Sequence, residues 1–181
     1  MKKILINDGI STAGKEKLIE YGFEVFDQKI SPENLIDFIN KNDICAILVR
    51  SATELRKNII DHCPSIKLIG RGGVGLDNID VDYAKKKGIH VINTPAASSK
   101  SVSELVFAHI FSLTRFLFHA NRTMPLEGDF NFKKLKSNYS KGIEISEKTI
   151  GIIGFGKIGQ EVAKIAFGLR MKVIFYDKYI S

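Results

Sequence analysis

Nowhere in the 181 residues do about eighteen apolar residues run together, the length a membrane-spanning helix needs. The opening Met-Lys-Lys-Ile-Leu-Ile-Asn-Asp holds an apolar stretch too short for a signal peptide, so a cytoplasmic protein is expected, with no membrane partner. Cysteine is scarce. Cys45 lies in an apolar, strand-like run and Cys63 near the end of a predicted helix, without a C-x-x-C spacing, which reads as two reduced structural thiols and no nucleophile. Histidine is scarce too: His62 ends a predicted helix, His90 begins a strand, and His109 and His119 ride a long helix. None has an evident carboxylate partner to make it a proton carrier, so no catalytic residue is assigned within the chain.

What is present is a basic α/β pattern. The net charge is +7, but the lysines are scattered among acids, and Lys85, Lys86 and Lys87 form the only run of three. Such a charge suits attraction of small anionic molecules, and nucleic acid is not an expected partner. A 44% hydrophobic content is ample for one large or two small cores. Residues 4–6, 24–26, 46–49, 68–70 and 90–92 are short, mostly apolar, largely β-branched runs separated by four helical stretches. Five strands and four helices in the first 97 residues suit a parallel sheet of flavodoxin-like order. The second helix is expected to open on Ser31 as N-cap with Pro32 at the first helical position.

Small and turn-forming residues from Asn93 to Ser99 mark a boundary, giving domains 1–97 and 98–181. A helix over residues 101–119 is predicted next, opened by the capping box Ser101-x-x-Glu104. Val102, Leu105, Val106, Leu113, Phe116 and Leu117 make one apolar face, and Phe107, Phe111 and Phe118 a second, so both sides need cover. That cover is either the rest of the chain or a partner subunit. Residues 120–148 are mostly polar and read as a short helix and an excursion.

Residues 149–177 carry the most chemistry. Thr-Ile-Gly-Ile-Ile-Gly-Phe-Gly-Lys-Ile-Gly, an amphipathic stretch and Met-Lys-Val-Ile-Phe-Tyr-Asp read as strand, glycine turn, helix and second strand ending in a carboxylate. In such a unit Gly154 allows the tight turn, Gly156 lets backbone approach a pyrophosphate, and Gly159 lets helix and strand pack closely. The helix start at Lys157 and Ile158 offers N–H groups to phosphates. Asp177 stands where a carboxylate can accept the ribose hydroxyls and repel a 2′-phosphate, which favours NAD over NADP. The alternative is an ordinary strand-helix-strand turn that binds nothing.

Three segments together, Val49-Arg50-Ser51-Ala52-Thr53, the run Ile69-Gly70-Arg71-Gly72-Gly73-Val74-Gly75-Leu76-Asp77-Asn78-Ile79-Asp80, and the unit from Gly154 to Asp177, resemble the D-isomer-specific 2-hydroxyacid dehydrogenases. The likeness runs from end to end and is nearest to the branch acting on D-3-phosphoglycerate in serine biosynthesis. It implies a flavodoxin-like substrate domain followed by an incomplete Rossmann nucleotide-binding domain, a homodimer, and hydride transfer between NAD and the C2 carbon of a small anionic substrate. It also implies that Arg50, Ser51, Arg71, Gly72 and Gly73 meet the substrate and that Val74 lies near the cofactor. Members of that family continue further, into the catalytic Arg, Glu and His, so the chain reads as an N-terminal part.

The residues themselves agree at the substrate end. Arg50 and Arg71 each follow a predicted strand, hence sit at the carboxyl edge of the sheet, where bidentate guanidiniums suit phosphate and carboxylate. The loop from Gly72 to Gly75 can bring backbone N–H groups close to an anion. Structural salt bridges for the two arginines and a plain turn for the glycines stay open. Two stretches depart from the family: Thr94-Pro95-Ala96-Ala97-Ser98 lacks its usual Gly and Asn, and Phe130 stands where tryptophan is common; this chain has no tryptophan at all. A glyoxylate or hydroxypyruvate reductase, or a non-catalytic NAD-sensing module, are the rival readings.

Overall fold

The computed structural model describes residues 1–179, and the chain divides into two compact units, Met1–Ala97 and Ser98–Ser181. The first alternates β1 (Lys3–Ile6), α1 (Thr12–Glu20), β2 (Glu24–Asp27), α2 (Pro32–Asn42), β3 (Ile44–Val49), α3 (Lys57–His62), β4 (Leu68–Arg71), α4 (Val81–Lys86) and β5 (His90–Asn93). The five strands are parallel in the order β2-β1-β3-β4-β5, which is the flavodoxin-like order. A parallel sheet is covered on both faces, which is why its strands read as unbroken apolar runs. Leu5, Ile47 and Ile69 of the three central strands are fully buried, together with Leu35 and Ile39 of α2 and Ala84 of α4.

Serines take the N-cap position of α1 and α2, the second as expected but without its cap bond. Ser11 caps α1 by accepting the Gly14 N–H at 3.2 Å. Ser31 precedes Pro32 at the start of α2 as expected, but its hydroxyl makes no cap bond and instead accepts Asn34 Nδ2 at 3.2 Å. Proline has already removed one of the N–H groups that need a partner there.

The second unit contains α5 (Ser99–Thr114), α6 (Leu117–Tyr139), β6 (Thr149–Ile153), α7 (Lys157–Gly168) and β7 (Lys172–Tyr176). β6 and β7 pair in parallel from Thr149 opposite Lys172 to Ile153 opposite Tyr176. Ser99, Ser103 and Phe107, each four residues on from the last, form the buried face of α5. Phe107 closes on Val162 and Ala166 of α7 and on Met171.

Here the structure corrects the sequence. The helix expected over 101–119 is two helices bent by 54° at Arg115 and Phe116, and Phe116 sits in the left-handed region at φ 57°. A continuing helix would pair the Thr114 carbonyl with the N–H four residues on. Ile143 takes that carbonyl instead, at 2.8 Å, while the Thr114 hydroxyl donates back to Ile110 O. The capping box does not form either: the helix starts at Ser99, and Ser101 Oγ donates to the Ser98 carbonyl at 3.0 Å. Residues 120–139, expected to hold only a short helix, belong to α6, which carries Pro125 inside it. Val106, Ile110 and Phe111 pack beside Phe107, whereas Leu105, Leu113, Leu117 and Phe118 of the anticipated faces are exposed. No single helix among the described residues is long and apolar enough to cross a membrane.

Candidate functional site

The chain enters the first sheet at β1, steps to β2 on one side, and returns to β3 on the other. Loops after β1 and β3 therefore leave a gap between them at the carboxyl edge, the place where open α/β sheets bind ligands. An open crevice of about 730 Å³ lies there, bordered by Asp8, Gly9, Lys29, Arg50 and Ser51. A neighbouring opening of about 570 Å³ runs from Asp8 and Arg50 to Gly72. Both are of small-molecule size. The stem of Arg50 rests on Gly72, where an added Cβ would meet Arg50 Cγ at 3.6 Å. Arg50, Ser51 and Gly72 thus converge at one edge, as the sequence suggests.

The loop that presents Arg50 is held by residues the sequence reading passed over. Asp8, whose side chain is 4% exposed, accepts the backbone N–H groups of Arg50 at 2.8 Å and Thr53 at 3.0 Å on one oxygen, Oδ2. Its Oδ1 takes the Thr53 hydroxyl at 2.7 Å and an ion pair with Lys29. Burial opposes ionisation of this carboxyl, but the hydrogen bonds from Lys29, the Arg50 N–H and Thr53 outweigh it and hold it below the ordinary carboxylate range. Asn78 Nδ2 binds the carbonyls of Arg50 at 2.8 Å and Thr53 at 2.6 Å, and Asn7 Nδ2 binds Thr53 Oγ1 at 2.8 Å. The one signal available was Asn7-Asp8, a polar pair ending an apolar strand.

Arg71 ends β4 at the same edge, yet its guanidinium turns into its own loop. Nη1 donates to the Gly75 carbonyl and lies 3.4 Å from Asp77 Oδ1, and the side chain is only 11% exposed. The glycines make room for it: a Cβ on Gly75 would stand 2.9 Å from Arg71 Nη1, and one on Gly73 3.7 Å from Cζ. Arg71 therefore does not border either opening. Two N–H groups of the loop serve the fold, Gly72 to Val49 O at 2.8 Å and Gly73 to Arg71 O at 3.0 Å. Val74 is exposed, and its carbonyl accepts Asn93 Nδ2 at 2.6 Å.

In the second unit the three glycines divide their work. Gly154 adopts φ +93°, a conformation that strains any side chain, as the chain leaves β6. Gly156 is the N-cap of α7 and opens onto free space, so a backbone approach is unobstructed. A Cβ on Gly159 would overlap the Gly154 carbonyl and press on Ile152 Cγ2 at 3.3 Å, so helix and strand are as close as backbone allows. No side chain caps α7, which leaves the first-turn N–H groups at Lys157, Ile158 and Gly159 without intrahelical partners. Asp177 follows β7; its Oδ2 accepts the Phe155 N–H at 2.6 Å and its Oδ1 the Tyr179 N–H at 2.7 Å. These features fit a dinucleotide: a cradle kept clear of side chains, exposed helix donors for a pyrophosphate, and a carboxylate beside the turn.

No histidine borders either opening of the first unit; His62 Nδ1, for example, pairs with the Asn58 carbonyl at 2.8 Å. Among the described residues no three His, Cys, Asp or Glu side chains group as metal ligands would.

Residues 4–173 match the model of the D-isomer specific 2-hydroxyacid dehydrogenase, catalytic domain. The chain belongs to that family. It is similar to a hydroxypyruvate reductase of Thermotoga maritima, 40% identical over 97% of this chain and 55% of the relative. A D-3-phosphoglycerate dehydrogenase of Methanocaldococcus jannaschii is 38% identical over 99% of this chain and 33% of its own length. Among solved structures, an NAD⁺-bound 3-phosphoglycerate dehydrogenase of Entamoeba histolytica superposes with a TM-score of 0.76 at 29% identity, over 99% of this chain and 55% of that one. An acyclic imino acid reductase in complex with NADPH and D-Arg superposes at 0.81 and 32% identity, over 100% and 57%. The chain thus spans from a third to little more than half the length of these relatives.

Proposed function

We propose that this protein is an NAD-dependent oxidoreductase of a D-2-hydroxy acid, with D-3-phosphoglycerate as substrate and 3-phosphohydroxypyruvate as product. The observation that carries the reading is the pairing of two prepared anion sites in one chain: Arg50 over the crevice at the β1/β3 gap, and the uncapped α7 start behind Gly156. A pyrophosphate meets the N–H groups of Lys157, Ile158 and Gly159, and Asp177 accepts the ribose hydroxyls. NAD, when bound, supplies the acceptor for the hydride leaving C2. Arg50 and Ser51 hold the substrate's anionic groups beside the opening that Gly72 borders, and Gly73 and Arg71 support that loop from within. No described residue is assigned the proton of the 2-hydroxyl.

Hydroxypyruvate reduction is the second reading, favoured by the 40% identity to the Thermotoga maritima enzyme. The two free cysteines, Cys45 and Cys63, suit a cytoplasmic setting, and the exposed Leu105, Leu113, Leu126 and Phe130 suit cover by a second copy. Calorimetric titration of the chain with NAD, NADP, D-3-phosphoglycerate and hydroxypyruvate tests the reading. Binding of NAD and of phosphoglycerate, both weakened by salt, is expected; binding of neither overturns it.

A further inference from the structure

The geometry points to Asp8 as the positioning residue of the anion site, holding the Arg50–Thr53 backbone in the one arrangement that sets Arg50 over the crevice. It never needs to touch the ligand. The inference rests on the reading of Arg50 as an anion ligand given above and adds what prepares it.

An arginine on a loose loop binds an anion weakly, because the loop's order must be created at the moment of binding. Here that order exists beforehand. One oxygen, Asp8 Oδ2, accepts the N–H groups at both ends of the turn, Arg50 and Thr53, while Asn78 Nδ2 grips the carbonyls of the same two residues. All four backbone groups at the turn's ends are thus held from two sides, by side chains from the end of β1 and from the loop after β4. The Asp8 side chain is 4% exposed and Asn78 is buried, so the carboxylate and the amide that grip the turn themselves face little water. The second oxygen of Asp8 is occupied by Lys29 and the Thr53 hydroxyl, which fixes the carboxylate's own orientation. A negative charge at the border of the crevice, bound to the Arg50 backbone, is a poor anion ligand and would repel the substrate if it were free. Its complete engagement with donors is what a supporting role requires.

The split between the two oxygens makes the role testable. Asp8→Asn keeps an oxygen able to accept both loop N–H groups and turns an amide NH2 toward Lys29, whose largely exposed ammonium is free to swing into solvent. Asp8→Ala loses the clamp. In the ligand-free chain, amide hydrogen exchange at Arg50 and Thr53 is expected to rise about tenfold or more in Asp8→Ala and to stay near the original in Asp8→Asn, with β1 and β3 still protected. Calorimetric titration with D-3-phosphoglycerate should show about a tenfold weaker Kd for Asp8→Ala and a change within about threefold for Asp8→Asn. Asp8→Ser, whose hydroxyl cannot span both N–H groups, serves if the alanine variant does not fold. Arg50→Ala is the control: if it binds as the original does, or if the original does not bind, the reading of Arg50 falls, and exchange alone still decides whether Asp8 orders the turn. Unchanged exchange and affinity in Asp8→Ala or Asp8→Ser would overturn the inference, as would equal loss in the asparagine and alanine variants.

Discussion

The N–H of Phe155 donates to Asp177 Oδ2 at 2.6 Å, tying the glycine turn after β6 to the residue that follows β7. The carboxylate proposed to read the ribose therefore also shapes the turn proposed to cradle the pyrophosphate. Asp177→Asn keeps most of that geometry and removes the charge that repels a 2′-phosphate. The expected outcome is an NAD-to-NADP affinity ratio that falls toward one, read from paired titrations. An unmutated chain that binds both cofactors equally would remove the argument. Asp177→Ala should in addition destabilise the second unit by about 1–3 kcal/mol, since two backbone N–H groups lose their acceptor.

Gly159 admits no side chain. Gly159→Ala is expected to cost about 1–3 kcal/mol or more, because the new methyl group meets the Gly154 backbone, which cannot yield without moving the turn. Gly168→Ala at the far end of the same helix meets nothing within 4 Å and should be neutral or slightly stabilising. Thermal unfolding of the two variants side by side checks the contrast.

The two arginines should separate. Arg50→Ala is expected to weaken binding of a phosphorylated hydroxy acid by about 1.5–3 kcal/mol with little change in stability, as an exposed charged donor is lost. Arg71→Ala should lower stability, because the Gly75 carbonyl loses its partner, and affect binding through the altered loop. A stability loss in Arg50→Ala and none in Arg71→Ala would reverse the assignment.

The lowered pKa of Asp8 predicts an acid-sensitive first unit. Its folded value lies below the unfolded one, so the stabilisation is complete above about pH 5, where the unfolded carboxyl is ionised, and is lost as pH falls through the folded value. Chemical denaturation midpoints should hold from neutral pH to about 5 and then drop, less so in Asp8→Asn, which has no proton to gain. A variant that follows the same acid limb as the original would place the sensitivity elsewhere.

Cys63 is fully buried after α3, and desolvation pushes its thiol up to about 11. Iodoacetamide at mildly alkaline pH should therefore label it only on unfolding, since the thiolate is the nucleophile and is almost unpopulated in the fold. Rapid native labelling at Cys63, located by peptide mapping, would contradict that placement.

What the sequence determined by itself was whatever depends on short-range order. The apolar runs at 4–6, 46–49 and 68–70 became strands because a buried parallel strand needs nothing but a short β-branched run, and the glycines at 154, 156 and 159 carry their spacing wherever the chain goes. Tertiary structure decided what depends on a distant partner. The helix expected over 101–119 breaks at Phe116, where the Thr114 carbonyl pairs with distant Ile143, and no periodicity around residue 114 announces that partner. Arg50 and Arg71 look alike in sequence, each an arginine after a strand. One stands over a crevice and the other folds onto Gly75, because direction past a strand end is set by the surrounding loop. The Asp8 clamp joins residues 42 and 45 positions apart, so it exists only once β1 and β3 lie side by side. Local propensity is written along the chain, whereas a hydrogen bond between neighbouring strands needs the sheet to have formed.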